Sequence, residues 1–206
     1  MSGARLDDRL RRALGRAGLA AGTWCDAYRP IGSGPALDAA NRFLRLPAAF
    51  LAKGDAQGGL WHGSFDAAYT RPGDYLRRDD GAIWFIAARE PLAPILCIRA
   101  DRLLDIARPA GATRPGVNTY GGVAPETSAP LLTQWPASIA AASATGTANP
   151  GLPAGVPPGS WTVLLPASGV TLRPGDVLRD DLGRLAVVSN AEASARGWRL
   201  LARQAG

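Results

Sequence analysis

Residues 71–81 read RPGDYLRRDDG, and residues 173–183 read RPGDVLRDDLG. Aligned without a gap, the two stretches agree at eight of eleven positions. Agreement this dense within one chain favours an internal duplication over two unrelated hairpins that use the same turn residues. The shared positions are Arg71/Arg173, Pro72/Pro174, Gly73/Gly175, Asp74/Asp176, Leu76/Leu178, Arg77/Arg179, Asp79/Asp181 and Gly81/Gly183.

The repeated motif has the residues of a turn followed by a hairpin. Arg-Pro-Gly-Asp predicts a type II turn, because proline presets φ at the second position and glycine supplies the positive φ of the third. A short strand follows at 75–77 or 177–179, and an Asp- and Gly-containing turn then leads into an apolar run at 82–88 or 185–188. Each copy therefore predicts a β-hairpin whose first strand begins directly after the turn.

The correspondence extends upstream of the motif. The stretch LPAAF at 46–50 resembles WPASI at 135–139, and a tryptophan opens the next strand in each copy, Trp61 and Trp161. Short strands separated by turns at this spacing are typical of a small barrel or sandwich. The predicted fold class is therefore mainly β, with two tandem related small β-barrel or sandwich modules, a short N-terminal helix and long loops.

Composition shifts along the chain suggest where the modules begin and end. We place an N-terminal amphipathic helix at 1–22, the first β module at 23–110 and the second at 131–206. Between them, 111–130 is rich in proline, glycine, threonine and serine, and we predict that it is a linker. Glycine (25) and proline (17) are both abundant in the whole chain, which favours many short strands and turns over long helices.

The N-terminal helix is predicted from its apolar spacing. Leu6, Leu10 and Leu14 recur at the interval that places side chains on one side of a helix. Its arginines, among them Arg9 and Arg12, fall on the other side. A solvated charged side is the favoured interpretation, and docking on a partner's acidic surface is the alternative. We name Arg9 and Arg12 as candidate assembly contacts.

The segment 140–160 lacks charge and has almost no large side chain. Such a composition buries too little apolar surface to offset the entropy of ordering it. We interpret it as a mobile loop inserted in the second module, or as an arm that orders only on a partner. Its candidate assembly contacts are Pro150, Leu152, Pro153 and Val156.

The formal charge of +6 and the pI near 10.1 raise the question of nucleic-acid binding. Lys53 is the only lysine, and the arginines are scattered rather than clustered. We therefore favour solvated arginines over a dedicated DNA surface, which leaves non-specific proximity to DNA open. No apolar stretch reaches membrane-spanning length, and the charged N-terminus lacks the apolar centre of a secretory signal. The expectation is a soluble, unexported protein without a membrane partner.

Residues that could carry chemistry are few. His62 is the only histidine, and the two cysteines, Cys25 and Cys97, are distant in sequence and predicted to be free thiols. A zinc or iron site needs three or four clustered ligands, which this set does not supply. The aspartate pairs at 79–80 and 180–181 fall in predicted turns, where aspartate bonds its own backbone. We predict no catalytic, cofactor-binding or metal residues, no cofactor and no enzyme activity.

The segment 170–204 resembles the C-terminal part of small structural proteins of tailed bacteriophages and prophages. The resemblance rests on the order apolar run, Gly-Asp, strand, Asp-x-Gly turn, strand, loop and a Gly-Trp strand that reads GWRLLARQ. The segments CDAYRP at 25–30 and NRFLRLP at 41–47 are similar to uncharacterised proteins associated with phage structural gene clusters. Together these segments cover about half of the chain.

The resemblance implies a virion protein of the neck, either head-closure, head–tail connector or collar-like. It implies a homo-oligomeric ring that is made in the bacterial cytoplasm and contacts portal, tail or collar components of the virion. The duplication departs from the usual single-barrel joining protein, so the neck layer and the number of subunits stay open. The alternatives are a capsid decoration or tail-fibre adaptor protein, and a β-barrel module that binds a small ligand or saccharide through surface tryptophans.

Overall fold

The computed structural model describes residues 3–53, 59–109, 128–142, 159–166 and 169–204, and all structural statements below concern these residues. They form one helix, a single 3₁₀ turn at Ala39–Asn41 and twelve strands. In chain order these are α1 (Gly3–Ala21), β1 (Thr23–Tyr28), β2 (Arg42–Ala52), β3 (Leu60–Ser64), β4 (Tyr75–Arg78), β5 (Ile83–Ala88), β6 (Ile95–Ala100), β7 (Arg102–Pro109), β8 (Ser128–Ala141), β9 (Ser160–Leu165), β10 (Val177–Asp180), β11 (Leu185–Ser194) and β12 (Gly197–Gln204).

The strands close into two barrels of six strands each. Barrel 1 runs in the order β1-β2-β3-β6-β5-β4, and barrel 2 in the order β7-β8-β9-β12-β11-β10. All of these pairings are antiparallel, and closure leaves neither barrel with a free sheet edge. The two orders are identical when β1 is matched to β7, β2 to β8 and so on. The predicted mainly β fold with two tandem related modules is confirmed, and the modules are barrels.

The duplication holds at the level of residue register. Trp61 pairs with Ala52 in barrel 1, as Trp161 pairs with Ala141 in barrel 2. A β-bulge interrupts the fifth strand of each barrel at the same point, directly after Ile86 or Val188. Shared bulge positions indicate that the two barrels bend in the same way, because a bulge kinks and twists its strand locally.

One module boundary predicted from the sequence is wrong. Residues 102–109 were assigned to the first module, but they form β7, which pairs with β8 and β10 and completes barrel 2. Without β7, the second barrel would be left open with two free edges. The boundary therefore lies at Asp101, between β6 and β7. The sequence carried a signal for it, since DAYRP at 26–30 and DIARP at 105–109 open equivalent barrels.

The other predicted boundaries agree with the structure in part. The helix spans Gly3–Ala21, within the predicted range 1–22, and ends before Gly22. The predicted linker 111–130 overlaps β8 at its last three residues, and 110–127 lie outside the described residues. Of the predicted loop 140–160, both ends belong to β8 and β9, and 143–158 lie outside the described residues.

Barrel 1 has an interior of its own, formed by inward-facing side chains of its strands. Trp84 belongs to this interior and stacks on Phe50 with ring centroids 4.0 Å apart. Helix α1 lies against β2 and β3 and adds Leu14 to this cluster. In the described part of the chain, no helix is apolar enough over a sufficient length to cross a membrane. The buried members of the cluster are Cys25, Ala27, Leu46, Ala48, Phe65, Ala67, Leu76, Trp84, Ile86, Ile95 and Cys97.

The interior of barrel 2 is continuous with the outer side of barrel 1. Tyr28, Tyr75, Phe85 and Ile98 point outward from barrel 1, yet they are buried in the same apolar cluster as the barrel 2 interior. The burial of large side chains dominates the stability of such contacts. The two barrels therefore pack on each other through an extended apolar contact.

Candidate assembly surfaces

The two RPGD turns have the same geometry. Gly73 and Gly175 have φ of +95° and +93°, which a type II turn requires at its third position. The amide of Gly73 donates to the Ile86 carbonyl at 2.8 Å, and that of Gly175 donates to the Val188 carbonyl at 2.8 Å. Each turn is thus bonded to the residue that precedes the bulge of the fifth strand. The turns therefore fix the backbone of each barrel at equivalent points.

A buried aspartate at the end of each turn is held by an arginine from the first strand or directly after it. Arg29 donates from Nε and Nη2 to the two carboxylate oxygens of Asp74, both at 2.8 Å. Arg108 binds Asp176 in the same bidentate way, at 2.8 and 3.0 Å. Each aspartate is only 1 % exposed. Bidentate Arg–carboxylate pairs are among the stronger ion pairs in proteins, and we call these two pairs the clamps.

Backbone contacts close each turn on its own aspartate. The amide of Arg71 donates to Oδ2 of Asp74 at 2.8 Å, and the amide of Arg173 donates to Oδ2 of Asp176 at 2.8 Å. In the other direction, the Arg173 carbonyl accepts from the amide of Asp176 at 3.2 Å, as the Arg71 carbonyl accepts from that of Asp74 at 3.1 Å. Pro174 lies between the bonded residues and, like Arg173, is exposed. The first arginine of each turn thus acts through its backbone.

The arginines of the clamps carry further contacts. Nη2 of Arg29 donates to the Tyr69 carbonyl, and Nη2 of Arg108 donates to the Thr171 carbonyl. The hydrogen bonds that Arg29 and Arg108 donate to Asp74 and Asp176 raise the pKa of both arginines, so both guanidinium groups stay charged. Both carboxylate oxygens of each clamp are occupied, which makes the clamps structural features.

Sequence reasoning found the turns but missed Arg29 and Arg108. The arginines lie 45 and 68 residues from their aspartates in sequence, so no local pattern links the partners. The spacing Asp-x-x-Arg-Pro, at 26–30 and 105–109, is the signal that could have found them. Repeated charged residues at equivalent positions of a duplicated chain indicate a shared structural role.

The aspartates of the hairpin turns bond their own backbone, as expected of turn residues. Oδ1 of Asp80 accepts from the amide of Ala82 at 3.1 Å, and Oδ1 of Asp180 accepts from the amide of Leu182 at 3.1 Å. The hydrogen bond from Arg78 lowers the pKa of Asp80 to about 2. Burial would raise the pKa of Asp180, but hydrogen bonds from Arg184 outweigh it and lower that pKa. Both carboxylates therefore stay ionised as turn partners.

The nucleophilic and metal-binding side chains lie apart or inside the core. His62 is half-buried in β3, and the described ranges contain no cluster of three potential metal ligands. Cys25 and Cys97 are free and buried in the barrel 1 interior. Burial raises the pKa of the Cys25 thiol to about 11 and raises that of Cys97 further still. Because the thiolate is the nucleophilic form, neither thiol is activated at neutral pH.

Arginines on the outer side of barrel 1 surround one aspartate. Arg42, Arg45 and Arg77 each have a side-chain nitrogen within 4.0 Å of Asp26. Arg45 also pairs with Asp79 at 3.0 Å. Much of the basic charge on this side is therefore used in local ion pairs. Proximity of the remaining arginines to DNA stays a prediction.

Polar contacts reinforce the apolar contact between the barrels. The hydroxyl of Tyr75 donates to the Pro136 carbonyl at 2.7 Å, and burial raises the pKa of this tyrosine well above its ordinary value. Nε1 of Trp135 donates to the Gly34 carbonyl at 2.9 Å. The residue between the barrels, Asp101, donates its amide to the Ala137 carbonyl at 3.0 Å. The outer side of barrel 1 thus binds the β8 backbone of barrel 2.

Two cavities lie next to this contact. The smaller, about 180 Å³, is lined by Arg29, Arg71, Asp74 and Trp135 and by neighbouring residues. The larger, about 570 Å³, lies between the hairpin turns of the two barrels. The charged residues that line the larger cavity are both arginines and aspartates, so the cavity favours neither cations nor anions. The charged residues are Arg78, Asp80, Arg99, Asp101, Arg102 and Asp181.

The two RPGD turns differ in their surroundings, although the sequence predicts the same role for both. Arg71 and Pro72 line the smaller cavity, which Trp135 of barrel 2 helps to close. Arg173 and Pro174, at the equivalent positions, are exposed like Arg71 and Pro72, but they line neither of these two cavities. The equivalence expected from the repeat therefore covers the turn backbone and the clamp, but it does not extend to the outward surface of the turn.

The outer side of barrel 2 carries a row of uncovered apolar side chains. When only the described residues are considered, Leu185, Val187 and Leu201 are 41 %, 39 % and 36 % exposed. Val187 is the cross-strand partner of Val177, which is half-buried. We call these four residues the outer strip. Alternate residues of β11, at 186 and 188, are buried, as expected for a strand with one face in a barrel interior.

The candidate assembly residues predicted from the sequence are not brought together. Arg9 and Arg12 are exposed on α1 and contact no described residue through an ion pair or hydrogen bond. Pro150, Leu152, Pro153 and Val156 lie outside the described residues. Sequence reasoning did not single out the outer strip, because isolated apolar residues on the exposed face of a strand are common at protein surfaces.

No protein-family model, curated protein or solved structure matches this chain. The observations that bear on its function are therefore the resemblance of its segments, the two barrels and the surfaces described above.

Proposed function

We propose that this chain is a non-enzymatic structural protein of a tailed-phage virion, where it acts at the head–tail interface as a connector, stopper or collar. Several copies form a ring around the tail axis. Neighbouring virion proteins, such as portal, tail or collar components, bind on either side of the ring. The protein is made in the bacterial cytoplasm and ends in the virion.

The observation that carries the proposal is the contact between the barrels. It is heterologous, because the outer side of β4–β6 on one barrel meets β8 on the other. Heterologous contacts build rings when the rotation closes, whereas isologous contacts end in dimers. A chain that already joins two equivalent barrels in this way is suited to join further copies through heterologous contacts.

The mechanism of such a protein is mechanical. Each chain supplies two closed barrels that are joined by a shared apolar cluster, so the two barrels act as one unit. The clamps hold the turns at the ends of the barrels and resist deformation there. Loops between the strands are then free to contact neighbouring layers of the neck, and the arm at 140–160 is one such element of the proposal.

A ligand- or saccharide-binding module is less well supported. Such modules stack sugars or bases on exposed aromatic rings in a concave, largely apolar pocket. Of the six tryptophans only Trp24 is exposed, while Trp84, Trp135 and Trp161 are buried. The cavities beside the barrel contact are lined largely by charged groups and backbone. A decoration protein or tail-fibre adaptor remains the closest competitor within the virion class.

Deletion of the gene from the phage genome that carries it tests the proposal. We expect filled heads and separate tails in electron micrographs, and joined particles again when the wild-type gene is supplied in trans. Labelled antibody against the chain should bind at the head–tail junction. Normal joined particles after deletion, or label spread over the capsid surface, would count against a neck protein and for decoration.

A further inference from the structure

The outer strip of barrel 2 is equivalent to the surface through which barrel 1 binds barrel 2. The matched pairs follow from strand register: Tyr75 pairs with Phe85 as Val177 pairs with Val187. Leu96 lies opposite His62 as Leu201 lies opposite Thr162. In barrel 1 this surface is part of the apolar cluster shared with barrel 2. In barrel 2 the same surface has no cover among the described residues.

Part of the apolar character of the surface is kept in barrel 2, although Arg203 and Ser189 stand at the positions of Ile98 and Ala87. Leu185 and Leu201 match Ile83 and Leu96, so apolar side chains stand at the same positions. A row of large apolar residues exposed on one face is typical of an interaction surface. What binds the equivalent surface of barrel 1 is another barrel of this sequence, which indicates the kind of partner.

The part of barrel 1 that corresponds to the bound part of barrel 2 can be identified. Tyr75 binds the carbonyl of Pro136 in β8, and the equivalent residue in β2 is Pro47. Helix α1 lies at this point, since a β-carbon on Gly18 would be 2.9 Å from the Pro47 oxygen. The helix thus takes the position on barrel 1 that barrel 1 takes on barrel 2.

This end of barrel 1 also exposes apolar side chains. Leu19, which follows Gly18, is 70 % exposed, and Trp24, the cross-strand partner of Pro47, is 50 % exposed. Both flank the Pro47 segment. The chain therefore has uncovered apolar surface on the outer strip and, beside the position that α1 covers, at the Pro47 end of barrel 1.

We propose that the outer strip of barrel 2 binds a second copy of this chain, through the end of barrel 1 that carries α1, Leu19 and Trp24. The contact is heterologous and repeats the order barrel 1, barrel 2, barrel 1 along an assembly. It deepens the proposed ring and rests on that proposal for closure, since a heterologous contact alone also permits open chains.

Self-association of the full-length chain provides the first test, with Val187→Glu as the variant. We expect the wild type to form oligomers in sedimentation velocity at concentrations up to roughly 100 μM, which saturates a micromolar contact. Val187→Glu should weaken association roughly 100-fold, because a carboxylate here, even when paired with Arg203 across the strands, must be desolvated in the contact. Tyr69→Glu, at an exposed residue outside the outer strip and outside the Leu19 and Trp24 end, is the matched control and should associate as the wild type does.

Two outcomes of this experiment overturn the inference. One is a wild type that stays monomeric over the whole concentration range. The other is a Val187→Glu variant that associates normally, including the case in which it lowers the melting temperature of the chain. That last result would mean that another segment of the same chain covers the strip. An unchanged melting temperature together with lost association supports the proposal.

Cross-linking distinguishes the orientation of the copies. Val187→Cys and Leu19→Cys are prepared separately and mixed with a short bis-maleimide, while the native thiols are buried and do not react. A cross-linked dimer only in the mixture supports the proposed contact. A dimer formed by Val187→Cys alone shows a face-to-face pair and overturns it, as does the absence of any cross-link.

The failure of the inference and that of the proposed function give different results. If Val187→Glu loses the self-association that the wild type shows in solution, but deletion of the gene leaves particles normally joined, the surface is real and the neck function is wrong. If the wild type stays monomeric while deletion of the gene separates heads from tails, the function stands and the surface is wrong.

Discussion

Barrel 1 and barrel 2 place the same clamp at the same point of the same topology, yet the first residue after each clamp has a different environment. Tyr75 is fully buried against barrel 2, whereas Val177 is half-buried on an open surface. The backbone of the turn is alike in both barrels because the same proline, glycine and aspartate set its angles and its hydrogen bonds. The burial of the outward side chain differs because it depends on what packs against the barrel at that point. Barrel 2 covers Tyr75, whereas no described residue covers the outer strip that contains Val177. Shared positions thus report the fold, and differing positions report the contacts of each barrel.

The largest expected effect concerns the clamps. Arg29→Met and Arg108→Met should each lower the free energy of unfolding by about 3 kcal/mol, because each leaves a buried carboxylate without its charged partner. Urea unfolding followed by circular dichroism measures this. Arg71→Met is the control, since its side chain is exposed and 4.0 Å from Asp74, and we expect a change below about 0.5 kcal/mol. A large loss in one barrel and none in the other would break the equivalence of the clamps.

The next largest effect is a loss of folding stability at alkaline pH, which should arise from groups in barrel 1. Burial raises the pKa of Cys25, Cys97 and Tyr75, all in barrel 1, above their ordinary values of 9.0 for a thiol and 10.0 for tyrosine. The folded chain then holds protons that the unfolded chain releases. The stabilisation is complete below pH 9.0 and is lost as the pH rises through the folded pKa values, about 11 for Cys25.

The measurement is the free energy of unfolding of the wild type and of Cys25→Ala/Cys97→Ala as a function of pH. Each raised group contributes a slope of up to about 1.4 kcal/mol per pH unit in this window. We expect a steeper decline above pH 9.0 for the wild type than for the double variant. Equal slopes would show that the buried thiols do not contribute. At the equivalent positions barrel 2 has Leu104 and Ala202, which do not titrate.

A smaller effect distinguishes the outward residues after the clamps. Tyr75→Phe removes the hydrogen bond to the Pro136 carbonyl and should lower the free energy of unfolding by roughly 1–2 kcal/mol. Val177→Phe, at the equivalent position, adds an aromatic ring on an open surface and should change it by less than about 0.5 kcal/mol. Thermal melts of both variants check this. Equal losses would mean that Val177 is covered in the isolated chain.

The smallest expected effect is common to both barrels. Gly73→Ala and Gly175→Ala should each cost about 1 kcal/mol, because a β-carbon is disfavoured at the positive φ of both turns. At Gly175 no atom would meet the added carbon, so the cost there is conformational alone. Urea midpoints of the two variants measure it. A cost several times larger at either glycine would indicate a steric conflict that the turn geometry does not contain.

Local sequence was sufficient for the elements that depend on neighbouring residues. Proline and glycine set the backbone angles of the RPGD turn within the motif itself, so both turns and hairpins were predictable. The repeat then predicted two related β modules. The apolar spacing of α1 predicted the helix within two residues, because a helix repeats its contacts every three to four positions.

Tertiary structure alone decided which strands close which barrel and what each outer face touches. The assignment of 102–109 to barrel 2 depends on pairing with β8 and β10, and Arg29 meets Asp74 only once β1 and β4 are neighbours. Several matched outward positions are apolar in both barrels, such as Phe85 and Val187, so these residues alone do not show which surface is covered. The match of Ile98 with Arg203 appears only in the strand register. The reason is physical: turn angles are set within a few residues, whereas barrel closure and burial are set by strands that are distant in sequence.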